Sequence, residues 1–351
     1  MTSIRFATNR MPLAPGGFGT GCEAPGTPPH LGRAEVQPGG LPELDGTLLR
    51  EPPAEDPLPD AAARIAWLAD WLVAAQAEGA VPLLSVHGFC YTLADAVKRA
   101  AQLAAFYAGG TFRLRLAPLA FCWPSFGRLD NDDYLLDRGQ CQRSDTALAM
   151  LIQEIAAATA MAGVRPVLLA HSMGVFMTRL GVAALAARGL PGRPPFAQAV
   201  LMAGDDERTA LDPGGPLRPI AELADHVTVG VFRGDSVIQL NERVLGRADR
   251  IGLHGPAQPG ALPPNVAVVD YGFVVDQDLQ PPQSFRDVGP NLIGHQYYRL
   301  QPRVRDDLAQ VFAGAAPAEV RGRRRGEEMI NRSVAINPIA GRLYPVGALV
   351  A

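Results

Sequence analysis

Short apolar runs alternate with helix-length amphipathic segments over most of the chain. Apolar runs bounded by turn-forming residues are typical of buried strands, and they lie at 81–86, 113–123, 164–170, 198–204, 226–232 and 265–272. Segments with helical periodicity lie at 61–79, 93–110, 144–163 and 174–189. Strands that alternate with helices of this length predict βαβ units. We therefore expect an α/β fold with a mostly parallel central sheet and helices on both of its faces.

The two ends of the chain lack this alternation. Residues 1–60 are rich in proline and glycine, so we predict an arm with short strands at 4–8 and 33–37 and loops elsewhere. An α/β domain is predicted over 61–315. A tail over 316–351 follows, and it is apolar enough to pack back onto the body or to bind a partner.

Composition narrows the class of protein. Of the 351 residues, 48% are hydrophobic and 19% are charged, which is too apolar for a disordered chain. The formal net charge of −3 removes the usual electrostatic argument for a nucleic-acid partner. The chain has the size and composition of a globular enzyme.

The cysteines and the apolar segments indicate where in the cell the protein is expected to be. Cys22, Cys90, Cys122 and Cys141 form no CxxC pair, so neither a zinc cage nor a disulfide framework is indicated. The N-terminus lacks the unbroken apolar stretch of a secretion signal. The most apolar segment, 147–163, contains polar residues and is shorter than the ~20 residues of a membrane span. We expect a soluble cytoplasmic protein without an integral membrane span.

The strongest chemical signal is VLLAHSMGVFM at 167–177. A predicted strand ends at Ala170, Ser172 follows two residues later, and a helix begins near Gly174. A serine on such a tight strand-to-helix turn presents its hydroxyl as a nucleophile, and the residues two before and two after it must be small. Here alanine replaces the usual first glycine. The alternative, a serine that merely caps the helix, is less well supported because strand and helix flank the sequence as required.

A second signal is VHGFC at 86–90, directly after a predicted strand. In this position a loop supplies half of an oxyanion hole, the pair of backbone amides that bind developing negative charge. The amide of Phe89 would be one donor and the amide of Met173 the other. His87 is expected to order this loop rather than to act as a base.

Together these sequences resemble the α/β-hydrolase superfamily. HGF, CWPS at 122–125 and AHSMG at 170–174 are most similar to a large bacterial family of uncharacterised hydrolases with an HGF…WPS…D-R…HSMG series. Further stretches that carry the resemblance are FATNR at 6–10, YLLDR at 134–138, AGDD at 203–206, 232–256 and GHQYYR at 294–299. The resemblance implies the α/β-hydrolase fold, and it leaves the substrate open because one fold hosts many chemistries.

The remaining members of a catalytic triad should follow Ser172 in the order acid, then histidine. His295 follows the last predicted strand in a glycine-rich loop and is the preferred base. His254 precedes that strand, and His226 begins one, which makes both less suitable.

For the acid, two positions are open. Asp235 follows the strand at 226–232 in a tight turn, and it matches the position that the resembled family uses. The alternative is Asp205 or Asp206 after the strand at 198–204.

The predicted chemistry is nucleophilic acyl transfer on a small-molecule carboxylic ester, with Ser172 as nucleophile, His295 as base and Asp235 as orienting acid. No metal or organic cofactor is required, and no phosphate-binding glycine sequence follows a strand. An acyltransferase of the same fold is an alternative, as is a non-catalytic binding or scaffold protein. The acyl and alcohol parts and the oligomeric state stay open.

Three other polar residues near these sequences are expected to be structural. Ser125 is preceded by proline and has no apparent strand-to-helix turn, so we interpret it as a structural turn or cleft wall. Asp137 and Arg138 are expected to anchor a loop through ion pairing.

Overall fold

The computed structural model describes most of the chain. The described residues are 2–13, 16–37, 47–48, 58, 60–246, 249–272, 292–325 and 342–344. The strands are β1 (Thr2–Thr8), β2 (Arg10–Pro12), β3 (Phe18–Cys22), β4 (His30–Gln37), β5 (Thr47–Leu48), β6 (Val81–Val86), β7 (Leu116–Phe121), β8 (Val167–His171), β9 (Phe196–Met202), β10 (Ala224–Val231), β11 (Val266–Asp270), β12 (Arg324–Arg325) and β13 (Arg342–Tyr344). The helices are α1 (Ala61–Ala77), α2 (Leu93–Ala108), α3 (Asn131–Arg143), α4 (Asp145–Ala162), α5 (Met173–Arg188), α6 (Ile220–Leu223), α7 (Ser236–Leu245), α8 (Ile251–His254), α9 (Leu292–His295), α10 (Tyr297–Leu300) and α11 (Pro302–Phe312).

One large twisted sheet organises the molecule. Its strand order over the described residues is β12-β13-β11-β10-β9-β8-β6-β7-β1-β4-β5. The strands from β1 to β11 in this order pair in parallel, while β4 and β13 pair antiparallel with their inner neighbours. The α/β prediction with a mostly parallel sheet is confirmed.

Helices cover both faces because successive residues of a strand point to opposite sides. Leu168 of β8 packs in a cluster with Ile152 of α4. Its neighbour Leu169 packs in a second cluster with Leu103 of α2 and Leu308 of α11. The continuous apolar runs in the sequence are therefore the signature of strands that are buried on both faces.

The N-terminal segment contributes more structure than the sequence predicted. The expectation of loops outside 4–8 and 33–37 is wrong, because β2 and β3 form an antiparallel hairpin and β5 pairs with β4. The hairpin turn is closed by a hydrogen bond of 3.0 Å from the Leu13 amide to the Gly17 carbonyl. Gly17 has φ of 85°, a conformation that favours glycine. In addition, β1 lies inside the main sheet beside β7; the domain division at residue 60 stays a prediction.

The helix α3 was not predicted. Its polar sequence lacks an apolar stripe, so the periodicity that marks other helices is missing. Local polar interactions favour it instead. The Asp130 carboxylate accepts a hydrogen bond of 2.6 Å from the Asn131 amide, and Asp132 and Asp133 lie in the first turn, where negative charge is favourable.

Candidate active site

The strand β8 ends at His171 and the helix α5 begins at Met173, so Ser172 alone makes the turn between them. Ser172 has φ of 55° and ψ of −126°, a conformation that is strained for a residue with a side chain. Its amide donates to the Met202 carbonyl over 3.0 Å, and its carbonyl accepts from the Asp205 amide over 3.1 Å. The neighbouring strand end thus holds the turn in place.

The small residues around Ser172 are required by close packing. A Cβ added at Gly174 would lie 2.3 Å from the Val86 carbonyl oxygen and 2.7 Å from that of His87. Both atoms belong to the backbone at and just after the end of β6, so the contact could not be relieved by moving a flexible side chain. Ala170 is fully buried. The small-x-Ser-x-Gly pattern therefore lets α5 approach the end of β6, as the sequence predicted for this turn.

Asp235 and His295 lie together although sixty residues separate them. Asp235 caps the N-terminus of α7, where its Oδ1 accepts from the amides of Val237 and Ile238 over 3.1 and 3.0 Å. Its Oδ2 is 2.8 Å from His295 Nδ1. Because a carboxylate can only accept, His295 Nδ1 donates this bond, and the lone pair of a neutral ring lies on Nε2. Both side chains are buried.

His171 joins this pair to the serine turn. Its Nε2 lies 3.1 Å from the backbone carbonyl oxygen of His295, and the centroids of the two rings are 4.6 Å apart. Burial, and then the neighbouring His295, hold the pKa of His171 well below its ordinary value, so its imidazole is neutral. Since a carbonyl only accepts, Nε2 carries the proton. The sequence reasoning missed this residue; a histidine at the end of a buried strand was the available signal.

The competing candidates have other partners. His254 lies on α8, and its Nε2 contacts Glu242 Oε1 at 3.1 Å. Asp205 accepts from the Tyr134 hydroxyl over 2.6 Å. Asp206 pairs with Arg179 at 3.2 Å. The remaining histidine, His226, lies near the amino end of β10, at the opposite end of the strand from Asp235.

The loop after β6 packs directly on the serine turn. A Cβ added at Gly88 would lie 3.0 Å from Ser172 Cβ, so a larger residue would force the loop and the serine turn a few tenths of an ångström apart. Phe89 packs edge-to-face on Tyr134, with ring centroids 5.5 Å apart. His87 stacks on Trp123 at 4.8 Å, and burial lowers its pKa to about 3. A neutral, stacked His87 agrees with the predicted ordering role.

Asp137 supports this loop from behind. Its carboxylate accepts from the Ser125 hydroxyl over 2.5 Å and from the amides of Phe126 and Cys90 over 2.9 and 3.3 Å. The structural interpretation of Ser125 agrees with this position. The expected ion pairing is found for Arg138, which contacts the carboxylate of Asp205. For Asp137 the expectation was wrong, because hydrogen bonds from a hydroxyl and two amides surround it instead.

Arg10 ties together the loops that follow β6 and β7. Its Nη2 donates to the carbonyls of Tyr91, Trp123 and Ser125 over 3.0, 3.1 and 2.8 Å. Arg10 is almost fully buried. A guanidinium suits this position because its five N–H groups can reach several carbonyls at once. Arg10 of the FATNR sequence and Ser125 of the WPS sequence thus both bind the backbone of Tyr91, in the loop that follows β6.

The model of a protein family described as "Alpha/beta hydrolase of unknown function (DUF900)" matches residues 60–312. The chain belongs to this family. Its membership confirms the resemblance to the α/β-hydrolase superfamily and agrees with the observed sheet. Neither the curated proteins nor the solved structures gave a significant match.

Two further observations concern the described part of this α/β hydrolase. No helix there is long and apolar enough to cross a membrane. Within the same residues, no group of three or more His, Cys, Asp or Glu side chains is arranged to hold a metal ion.

Proposed function

We propose that this α/β hydrolase cleaves a carboxylic ester through an acyl-enzyme on Ser172. The observation that carries the proposal is the 2.8 Å hydrogen bond between Asp235 and His295 at the edge of the sheet where Ser172 makes its strained turn. A serine, a histidine and a buried carboxylate, each after a different parallel strand, form the constellation that activates a serine hydroxyl.

Each side chain then has a defined task. As the Ser172 oxygen attacks the ester carbonyl carbon, His295 Nε2 takes the hydroxyl proton and later gives it to the departing alcohol. Asp235 holds the ring with its proton on Nδ1 and stabilises the imidazolium. Water then attacks the acyl carbon, returns a proton through Nε2 to Ser172, and releases the acid.

The developing negative charge has two candidate donors. Met173 is the first residue of α5, so its amide is one of the helix-terminal N–H groups that have no partner within the helix. Phe89 lies in the loop that contacts the turn. Removing one oxyanion donor typically costs ~10²–10³ in turnover. The network around Arg10 and Asp137 supports this assignment because it fixes the loop that carries Phe89.

A serine-directed fluorophosphonate tests the nucleophile. We expect intact-mass analysis to show one adduct on the wild type and none on Ser172→Ala. Ser3→Ala is the control, since Ser3 is exposed on β1 away from the site, and it should keep the adduct. An unlabelled, folded wild type would refute an activated serine and favour a binding or scaffold protein. An adduct that persists on Ser172→Ala would place the nucleophile elsewhere.

A panel of ester substrates then tests the reaction. Hydrolysis of carboxylic esters that Ser172→Ala abolishes is the expected result. Added alcohols distinguish the acyltransferase alternative, because a transferase would form a new ester in preference to the free acid. Activity on amides alone would contradict the ester assignment.

A further inference from the structure

A small cavity lies between α2 and the carboxyl ends of β6 and β8. The side chains of Tyr91, Arg99, His171 and Tyr298 form part of its wall. About 30 Å³ of it is open to the centre of a water-sized sphere, whereas one water needs about 10–15 Å³ by this measure. The cavity therefore has room for a molecule of a few heavy atoms.

One buried arginine of the cavity wall, Arg99, and a second buried arginine whose charge interacts with it, Arg299, lack acidic partners. Arg99 lines the cavity, is 8% exposed and has no hydrogen-bond partner at Nε. Arg299 is fully buried and has none at Nη1 or Nη2. Their observed bonds go to the neutral amides of Gln102 and Gln296. Within the described part of the chain, neither guanidinium is paired with a carboxylate.

The two positive charges act on each other. Burial, and then the charge of Arg99, lower the pKa of Arg299 to about 10, so Arg299 is still protonated at neutral pH. Burial raises the pKa of Tyr298 to about 12, which keeps its hydroxyl protonated. Unpaired buried charges are costly, so an anion bound beside Arg99 would stabilise this part of the protein.

We propose that this cavity binds a small oxyanion, of the carboxylate or inorganic phosphate type, against Arg99, with the charge of the neighbouring Arg299 adding to the attraction. The planar guanidinium group matches such anions because its parallel N–H groups bind two oxygens at once. The anion would offset the like charges and could accept a hydrogen bond from Arg99 Nε. The dimensions of the cavity favour a free anion over the acidic group of a larger substrate.

The site lies beside the catalytic constellation. His171 forms part of the cavity wall, and its Nε2 holds the His295 carbonyl. The charges of Arg299 and Arg99 both contribute to the low pKa of His171, after burial and His295. A bound anion therefore stabilises the same packing that positions His295 against the serine turn.

The proposal is tested by measuring how the thermal stability of the full chain depends on the concentration of a small anion. The unfolding midpoint would be measured in sodium acetate and in sodium phosphate at fixed ionic strength, balanced with the salt of a bulky sulfonate that cannot enter the cavity. We expect a saturable rise of the midpoint in the wild type with at least one of the two anions. Arg99→Gln should weaken the apparent affinity tenfold or more. The surface variant Arg165→Gln, which removes one charge far from the cavity, should respond like the wild type.

Two results would overturn the proposal. A linear, unsaturable response that is equal in wild type and Arg99→Gln would mean general salt exclusion and a water-filled cavity. If Arg99→Gln misfolds, the wild-type titration still decides, since it needs no variant. Calorimetric titration of acetate and phosphate into wild type must also show binding, and its absence contradicts a bound anion.

Enzyme kinetics separate the two sources of the anion. A free anion that binds behind the site leaves the KM for a neutral ester unchanged. Competition between the anion and the ester would instead assign the cavity to an acidic group of the substrate and overturn the free-anion proposal. The binding measurements do not depend on ester hydrolysis, so failure of the proposed function would leave them interpretable.

Discussion

His171 Nε2 donates a hydrogen bond of 3.1 Å to the backbone carbonyl of His295. His171, which is adjacent to the serine turn, thereby fixes the position of His295, which comes from a distant part of the chain. The bond uses the backbone of His295 and leaves its ring free for Asp235. His171 is thus a positioning residue for the proposed reaction.

Replacing His171 should lower turnover without unfolding the protein. In His171→Phe the ring remains but the donor is lost, and a displacement of about 1 Å in a catalytic group can cost ~10² in rate. We expect kcat for an ester substrate to fall about 10²-fold with little change in KM. His171→Gln, which keeps an N–H donor, should recover part of the loss. The control His254→Phe should retain wild-type kinetics; a similar loss there would contradict the assignment.

Asp235→Asn distinguishes the orienting acid from its alternatives. An asparagine oxygen can still cap α7, but its amide group would favour the wrong tautomer of His295. We expect kcat to fall about 10³–10⁴-fold while the unfolding midpoint changes little. Asp205→Asn, measured in parallel by steady-state kinetics, should have a much smaller effect on kcat. If Asp205→Asn lowered kcat more than Asp235→Asn, the orienting acid would be Asp205, which follows β9.

Gly174→Ala tests the packing of the serine turn. The added methyl group would lie 2.3 Å from a backbone oxygen of Val86, so we expect a loss of unfolding free energy of about 1–3 kcal/mol or more. Gly139 in α3 is the matched control, because a Cβ there would meet nothing within 4 Å. Gly139→Ala should stabilise the protein by about 0.5–1 kcal/mol. Urea denaturation measures both, and equal effects would refute the packing argument.

The contact between Ser125 and Asp137 should show strong energetic coupling. Their hydrogen bond is buried, and each single substitution leaves polar groups without partners. A double-mutant cycle of Ser125→Ala and Asp137→Asn should give a coupling energy of about 0.5–3 kcal/mol. Additive effects would mean that the two side chains act independently. Fluorophosphonate labelling of the same variants reports whether the Phe89 loop moved.

Asp206 should make stability fall as pH rises. Burial, partly opposed by Arg179, raises the pKa of Asp206 from 3.8 to about 7. Between about pH 4 and pH 7 the unfolded chain loses this proton while the folded protein retains it, which destabilises the fold progressively. Asp206→Asn should therefore gain stability relative to wild type more at pH 8 than at pH 5. Asp225→Asn, at an exposed ion pair, serves as the control; an equal difference at both pH values for Asp206→Asn would contradict the raised pKa.

Several features followed from local sequence. The central strands and the helices that pack against them were predictable from their apolar residues. A strand that is buried on both faces is a continuous apolar run, whereas a helix that is buried on one face has apolar residues at helical spacing. The Ser172 turn was predictable since its chemistry requires small neighbours at fixed spacing, and Gly174 meets that requirement through a direct steric contact. The helix α3 and the hairpin of β2 and β3 were missed because polar capping and side-chain anchoring, rather than apolar periodicity, favour them.

The sequence by itself determined the α/β class, the order of the strands β6–β11 and of the helices α1, α2, α4 and α5, and the serine that follows β8, because each depends on residues close together in the chain. Only the tertiary structure decided that Asp235 meets His295, that His171 holds the His295 backbone, and that Arg99, beside Arg299, lines a cavity. The physical reason is that parallel strands bring their carboxyl ends to one edge of the sheet. Which side chains meet there depends on the packing of whole elements, and no local pattern of residues encodes it.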